Sequence, residues 1–286
     1  MRNSLKVSAA AAATAALALG LTACGTSSDP SSKPEGARAD TSKPLVVAAS
    51  PVPHADILNY VKTRLAAKAG LKLQVKEFTD YVLPNKATQS GQVDANFFQH
   101  KPYLDDFNKK NHTDLVPVVS VHLEPLGLYS KKDKDLTSIK AGQTIAVPND
   151  TTNEGRALKL LADNGLITLK PGVGQAATPS DIKDSKGLKF KELEAATLPR
   201  ALNDVDAAVI NGNYAIDAKL KPAKDALVLE KAAGNPYANL LVVKKGGEQD
   251  PRVRKLAKLL NSPQLKKYIE DKYQGAIIPA FGTVKS

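Results

Sequence analysis

Polar and aromatic side chains stand where predicted strands end and helices begin, and their types suit ligand binding. They are Tyr81 in FTDYVLPN, Phe98 and His100 in ANFFQH, Asn153 and Arg156 in VPNDTTNEGR, Asn211 in AVINGNYA and Asn239 in NPYANLLVV. Ligands of open α/β sheets bind beyond the ends of the strands. The pattern therefore indicates a site for an organic ligand that is partly apolar and partly charged.

Each of these side chains also has a simpler explanation. Asn153 could cap a helix, and Asn211 and Asn239 could end strands. Arg156 is harder to explain this way, because a cation in the first turn of a helix opposes the helix dipole. Side chains alternate along a strand, so one ring of the Phe97–Phe98 pair should face a core and the other a cavity.

The motifs of common enzymes are missing from the sequence. It contains neither a G-x-S-x-G nucleophile elbow nor a G-x-x-x-x-G-K-[ST] phosphate loop. The four histidines, none paired at i, i+4 spacing, are His54, His100, His112 and His122. We expect no catalytic residue, no metal site and no cofactor. A lipid-anchored enzyme using His100 with Asp94 or Asp80 is the alternative from another class, and an adhesin without a small ligand is a third.

Apolar periodicity predicts strands that alternate with helices along the chain. Strands are predicted at 45–49, 71–78 and 93–98. Residues 144–150 are predicted as a strand followed by a turn, and residues 152–166 as a helix. Residues 251–273 have the pattern of two amphipathic helices with a Ser-Pro break. The alternation predicts an α/β fold in which helices cover a largely parallel sheet.

The first 43 residues have the pattern of an export signal followed by a tether. Residues 1–23 combine two cations with an alanine-rich apolar run, and Leu-Thr-Ala-Cys precedes a segment rich in Ser, Pro and Gly. Cys24 is the sole cysteine, so no intramolecular disulfide can form. Residues 24–43 have too few apolar side chains to fold. The Leu-Thr-Ala-Cys sequence resembles the bacterial lipobox, and this resemblance implies cleavage before a lipidated Cys24. We expect a disordered tether at 24–43.

The chain carries a formal net charge of +11. A basic balance can indicate nucleic acid as a partner. Here the cations are scattered among acidic and apolar positions, as in KKDKDLTSIK. A solvated surface near anionic lipid headgroups explains this distribution as well, and export disfavours a nucleic-acid role.

Seven segments together resemble the NlpA/MetQ family of bacterial lipoproteins, the substrate-binding components of methionine ABC importers. They are LTAC, FTDYVLPN, DANFFQHKPYL, VPNDTTNEGR, ELEAATLPRAL, AVINGNYA and NPYANLLV. The match covers the chain from about residue 45 to the C-terminus, in the family's order. The chain departs from the family at Phe97, where a small residue is common, and at Glu124, in a segment that is usually less charged.

The resemblance implies a two-lobed periplasmic-binding-protein fold of type II, with the ligand between the lobes. It places residues 44–127 and 239–286 in lobe I and residues 128–238 in lobe II. The methionine contacts carried over from the family are Tyr81, Phe98, His100, Asn153, Arg156, Asn211 and Asn239.

The chemistry of methionine suits these side chains. Arg156 offers a planar fork to the carboxylate, and the amide oxygens of Asn211 and Asn239 can accept from the ammonium group. Phe98 and Tyr81 can contact the thioether, since sulfur packs well near aromatic rings. His100 either donates to the carboxylate or orients the pocket.

The same resemblance predicts the surroundings of the protein. We expect a monomer, lipid-anchored on the outer face of the cell membrane, that binds L-methionine and delivers it to an importer permease and its ATPase. No enzyme activity and no nucleic-acid partner are expected. A receptor for another apolar amino acid, or for a methionine-containing dipeptide, is the alternative within the same class.

Replacement of Cys24 by serine tests the lipid anchor. Because a single thiol carries the predicted anchor, Cys24→Ser should give protein that moves from the detergent phase to the aqueous phase in detergent partitioning. Mutant protein that still enters the detergent phase as the wild type does would show that the anchor lies elsewhere.

Overall fold

The computed structural model describes residues 40–284, so the predicted signal peptide, Cys24 and most of the tether lie outside the described residues. The strands are β1 Leu45–Ala49, β2 Leu73–Glu77, β3 Ala95–His100, β4 Leu115–Leu123, β5 Gly127–Tyr129, β6 Thr144–Pro148, β7 Thr168–Leu169, β8 Ile182–Asp184, β9 Lys189–Leu193, β10 Ala207–Ile210, β11 Ala226–Leu229, β12 Ala238–Lys244 and β13 Ile278–Thr283. The α-helices are α1 Asp56–Tyr60, α2 Leu83–Gln89, α3 Lys101–Asn111, α4 Thr151–Asp163, α5 Leu198–Ala201, α6 Gly212–Asp217, α7 Pro222–Asp225, α8 Pro251–Leu260 and α9 Pro263–Tyr273. Wider π-helical turns at Pro51–Ala55 and Val61–Leu65 flank α1.

The first sheet has six strands in the order β13-β4-β12-β3-β1-β2. Its strands bury apolar side chains on both faces, so alternate residues enter different cores. Leu241 and Val243 of β12 pack in the core that includes α1, α8 and α9, whereas Leu240 and Val242 pack against α3. Helices therefore cover both faces of this sheet.

The second sheet has five strands in the order β11-β5-β10-β6-β9. Ile145 and Val147 of β6 pack against α4 on one face. Ala146, between them, packs on the other face with residues of α5 and α6. This sheet too is covered by helices on both sides, as the predicted α/β class requires.

The prediction of a largely parallel sheet was wrong, because both sheets are mixed. Strand β1 runs parallel to β2 and β3, but β12 runs antiparallel to both β3 and β4. In the second sheet β6 is parallel to β9 and β10, and β5 is antiparallel to its two neighbours. Hydrophobic periodicity identifies a strand but carries no information on its direction.

The chain passes between the two sheets twice. Residues 124–126 lead from β4 to β5, and residues 230–237 lead back from β11 to β12. The first sheet thus uses strands from 45–123 and 238–283, and the second uses strands from 127–229. Whether the lobes predicted at 44–127 with 239–286 and at 128–238 move as separate bodies stays a prediction.

The predicted C-terminal pair of helices is confirmed as α8 and α9. The Ser262 side chain accepts from the backbone N–H of Leu265 at 3.2 Å, so the serine of the Ser-Pro break caps α9. No helix among residues 40–284 is long and apolar enough to cross a membrane.

Helix α4 provides a matched test of the second core. Leu161 is fully buried there, while the Lys159 side chain is exposed on the same helix. Leu161→Ala should lower the free energy of unfolding by about 2–5 kcal/mol, because it removes buried methyl groups and leaves a cavity. Lys159→Ala should change it by less than about 0.5 kcal/mol. Chemical denaturation followed by circular dichroism measures both; equal effects would contradict the assignment of this core.

Candidate functional site

A narrow cleft between the two sheets brings all seven predicted binding residues together. It is nearly closed, with a cavity volume of about 20 Å³, and is lined by Tyr81, Phe98, Gln99, His100, Tyr103, Glu124, Asn153, Arg156, Asn211, Gly212, Asn213 and Asn239. Phe98 lines the cleft while Phe97 is fully buried in the core under α1, as the alternation along β3 predicted. The aromatic and polar side chains that line this cleft are of the types that bind small molecules.

Asn153 connects residues from both sheets at the centre of the cleft. The side chain of Asp150, not Asn153, caps α4, and Asn153 Nδ2 donates to both Asp150 carboxylate oxygens at 3.0 Å. These bonds turn Asn153 Oδ1 toward His100 Nε2, at 3.2 Å, and Asn211 Nδ2, at 3.0 Å. One amide oxygen thus holds groups from β3 and from the start of α6 in a common arrangement.

The proton of His100 can be assigned from its partners. The backbone N–H of Tyr103 donates to His100 Nδ1 at 3.2 Å, so this nitrogen must be the acceptor. The proton of the neutral ring therefore lies on Nε2, which donates to Asn153. Burial, with the nearby charge of Arg156, lowers the pKa of His100 to about 3. The imidazole is neutral at physiological pH and orients Asn153.

Arg156 is buried, and most of its donors are already used. Its Nε donates to Glu230 Oε1 at 2.8 Å, and its Nη2 donates to Glu230 Oε2 and, at 2.9 Å, to the backbone carbonyl of Glu124. The guanidinium carbon lies 4.2 Å from the ring centre of Tyr237, a cation–π contact. The planar fork expected to bind a ligand is therefore paired with Glu230. Nη1 has no hydrogen-bond partner among residues 40–284 and is the donor left for a ligand.

Aromatic rings form the apolar wall of the cleft. The ring centre of Tyr81 lies 5.9 Å from that of Phe98 and 5.8 Å from that of Tyr103. The Tyr81 hydroxyl donates to Asn213 Oδ1 at 2.6 Å, across to the residues of the second sheet. Burial, the largest influence, raises the pKa of Tyr81 well above its usual value, so this hydroxyl remains a donor.

A buried amide network supports the cleft from behind. Gln99 Nε2 donates to Asn85 Oδ1 at 2.6 Å and to Asn96 Oδ1 at 2.8 Å. Asn96 Nδ2 in turn donates to Thr88 Oγ1 at 2.8 Å. These bonds join α2 to β3 and explain why polar residues flank the two phenylalanines: a buried amide needs partners.

Two further histidines, which are far apart from each other in the sequence, contact the carboxylate of Glu124. His122 Nε2 lies 2.8 Å and His54 Nε2 lies 3.1 Å from Glu124 Oε1. These three residues could in principle hold a metal ion. Metal-binding histidines almost always donate their second N–H to a carbonyl or carboxylate. Here the Nδ1 atoms of His54 and His122 are buried without a partner among the described residues. The cluster therefore fits a hydrogen-bonded carboxylate better than a metal centre.

Sequence reasoning missed several residues of this site. Glu230 and Tyr237 lie in the segment between β11 and β12, which has no periodic pattern, and His54 lies in the turn after β1. Tyr103 and Asn213 had a detectable signal, because each lies within three residues of a predicted contact at the start of a helix.

Two mixed sheets with a buried polar cleft between them define the architecture of a substrate-binding protein. The chain belongs to the NlpA lipoprotein family, whose sequence profile matches residues 45–281. It is 44% identical over 243 residues to the methionine-binding lipoprotein MetQ of Bacillus subtilis strain 168, covering 83% of this chain and 88% of that protein.

Solved structures of other substrate-binding proteins are similar to this chain in fold and in sequence. A nutrient-binding protein from Burkholderia cenocepacia bound to methionine has a TM-score of 0.80 and 44% identity, covering 83% of this chain and all of that one. A periplasmic substrate-binding protein of an ABC transporter from Coxiella burnetii has a TM-score of 0.79 and 41% identity, covering 82% of this chain and 100% of that one.

Glu154, beside Asn153 in α4, gives the site region a measurable pH dependence. It is only 6% exposed, and its Oε1 is buried without a partner among residues 40–284. Burial first, then the charges of Glu192 and Asp150, raise the pKa of Glu154 from 4.5 to about 7. The folded state therefore retains this proton where the unfolded state loses it, and the associated stability falls as pH rises from about 4.5 through 7.

Glu154→Gln keeps the side chain neutral at every pH. It should raise the free energy of unfolding relative to the wild type by on the order of 1–3 kcal/mol at pH 8 and by much less at pH 4. Denaturation at the two pH values measures the difference, with Glu77→Gln on the exposed edge of β2 as the control. If the difference in unfolding free energy between Glu154→Gln and the wild type were the same at both pH values, the raised pKa of Glu154 would be contradicted.

Proposed function

We propose that this protein binds free L-methionine in the cleft and delivers it to the permease of an ABC importer. The observation that carries the proposal is the combination in one cleft of a buried arginine that retains one unpaired terminal nitrogen and a wall of aromatic rings. The methionine-binding relatives support the same ligand.

The ligand carboxylate binds at Nη1 of Arg156 in this proposal. Glu230 and Tyr237 hold the guanidinium so that Nη1 remains available. The thioether lies against Tyr81 and Phe98, where a sulfur–aromatic contact is worth about 0.3–1.5 kcal/mol. His100 acts on the ligand mainly through Asn153, because its Nε2 proton is already donated there.

We further propose a non-enzymatic, monomeric lipoprotein held at the outer face of the cell membrane through Cys24. Its partners are the permease and the ATPase of the importer, and the membrane through the lipid. The family of lipoproteins to which the chain belongs supports the anchor, and the ABC-transporter relative supports the partners. The scattered cations suit a solvated surface better than a nucleic-acid partner.

The enzyme alternative has little support from the geometry. Asp94 accepts from the backbone N–H of Val46 at 2.7 Å, and Asp80 accepts from two N–H groups at the start of α2. Neither carboxylate bonds to His100, whose two nitrogens are occupied by Tyr103 and Asn153. A general base needs a free nitrogen within reach of its substrate.

Substitution of Arg156 tests the proposed carboxylate contact. Removal of one partner of a buried charge pair costs roughly 2–5 kcal/mol, so Arg156→Ala should weaken methionine binding on the order of 30-fold to several thousandfold. Arg156→Lys should also weaken it, since an ammonium group cannot serve both Glu230 and a ligand with the same geometry. Phe98→Ala should reduce the affinity for methionine by less than the upper end of the range given for Arg156→Ala, because it leaves no charge unpaired. Isothermal titration calorimetry measures all three.

Lys101→Ala is the control, because Lys101 pairs with Asp105 at 2.7 Å on the surface of α3. Wild-type affinity for Arg156→Ala combined with a loss for Lys101→Ala would mean that the carboxylate contact is assigned to the wrong residue. Mass spectrometry of the small molecule released by denaturing the purified protein distinguishes methionine from another apolar amino acid or a dipeptide.

A further inference from the structure

Glu124 presents one occupied and one open carboxylate oxygen in the cleft. Its Oε1 is the acceptor for both His54 and His122, whereas Oε2 accepts no hydrogen bond from the residues that the structure describes. The side chain is buried and lines the cleft. A Cβ atom on Gly212 would lie only 2.9 Å from Glu124 Cβ, so the absence of a side chain at residue 212 lets the start of α6 approach Glu124 closely.

The carboxylate of Glu124 is ionised. Burial acts most strongly and favours the neutral acid, but the charge attraction of His54 and the hydrogen bonds from both imidazoles outweigh it and hold the pKa well below its usual range. A buried anion with an unpaired oxygen is costly unless a cation or a donor meets that oxygen. The open Oε2 is therefore the atom of Glu124 that a cation or donor entering the cleft can bind.

A second acceptor with no partner lines the same cleft. Asn211 is 6% exposed, and its Oδ1 is buried without a hydrogen bond among residues 40–284. Its amide cannot rotate freely, because Nδ2 donates to Asn153 Oδ1 at 3.0 Å. Asn239 Oδ1, by contrast, lies 3.1 Å from His54 Nε2, whose single proton it shares with Glu124 Oε1. The open acceptors of the cleft are thus Glu124 Oε2 and Asn211 Oδ1.

These acceptors line the same cleft as Arg156. Arg156 Nη2 also donates to the backbone carbonyl of Glu124 at 2.9 Å, so the backbone that carries the anion is tied to the cation. An amino-acid zwitterion has its ammonium and carboxylate groups on one carbon atom. Such a ligand adds no net charge to the buried cleft, and each of its charged groups can meet the opposite charge.

We propose that Glu124 Oε2, with Asn211 Oδ1, binds the α-ammonium group and restricts the cleft to ligands that have a free ammonium group next to their carboxylate. This inference rests on the proposed function and names the chemical class of its ligand. A peptide ending in methionine has an amide N–H in place of that ammonium, and the adjoining carbonyl oxygen carries partial negative charge. Glu124 therefore selects free amino acids over peptides and N-acylated amino acids.

Titration of two ligands into two proteins tests the proposal. The ligands are methionine and its des-amino analogue, 4-(methylsulfanyl)butanoic acid; the proteins are the wild type and Glu124→Gln. The wild type should bind the analogue at least about 30-fold more weakly than methionine, because the analogue leaves Glu124 unpaired. Glu124→Gln should weaken the binding of methionine by a similar factor. Its affinity for the analogue should change by less than about 3-fold, or should improve. Glycylmethionine should bind the wild type more weakly than methionine.

Glu230→Gln is the matched control, with the same chemical change on the other side of Arg156. Glu230→Gln acts through Arg156 on the carboxylate group that methionine and the analogue both have. It should therefore weaken the binding of the two ligands by the same factor. Equal weakening of both ligands by Glu124→Gln would overturn the proposal, as would wild-type affinity for the analogue equal to that for methionine. The comparison of methionine with the analogue in the wild type needs no variant, so it tests the proposal even if Glu124→Gln fails to fold. A folded wild type that binds neither ligand would instead overturn the proposed function.

Discussion

The buried guanidinium of Arg156 is the constraint on which the arrangement of the two sheets depends. Its partners lie on both segments that join the sheets: the carbonyl of Glu124 on residues 124–126, and Glu230 and Tyr237 on residues 230–237. A buried ion pair adds little net stability, because desolvation offsets the attraction. Loss of either partner, however, leaves a stranded charge. The pair therefore acts through position: it ties helix α4 to both connections and to the cleft.

The cleft balances its charges in pairs that cross from one chain segment to another. Arg156 is neutralised by Glu230, and Glu124 is hydrogen-bonded by two histidines from the first sheet region. Between them, Asn153 shares one oxygen with His100 and Asn211. In such a low-dielectric site, fixed partners strengthen each hydrogen bond and make each unpaired polar atom costly. The positions of the few unpaired atoms consequently carry more information about a ligand than the list of lining residues does.

The fold class and the set of cleft residues could be predicted from local sequence, because each relied on short segments. Helix α4, predicted at 152–166, is observed at Thr151–Asp163, and the seven residues expected to meet do line one cleft. Strand direction was not predictable from periodicity. The partners of Arg156 and Glu124 were also missed, because Glu230 is 74 residues from Arg156 in sequence and His54 is about as far from Glu124. Contacts over such separations leave no signal in a single sequence; the tertiary structure alone brings them together.

The missing side chain at Gly212 has a consequence for how this cleft can change during evolution. The Cβ of Glu124, rather than its carboxylate, occupies the space that a Cβ at residue 212 would need, at 2.9 Å, and the Pro125 carbonyl oxygen lies 3.3 Å away. Every residue except glycine has a Cβ at position 124, so replacement of Glu124 by a smaller side chain leaves this close contact in place. Position 212 is therefore restricted to glycine as long as the backbone keeps this arrangement, whereas the chemical group at position 124 can change without a change at 212.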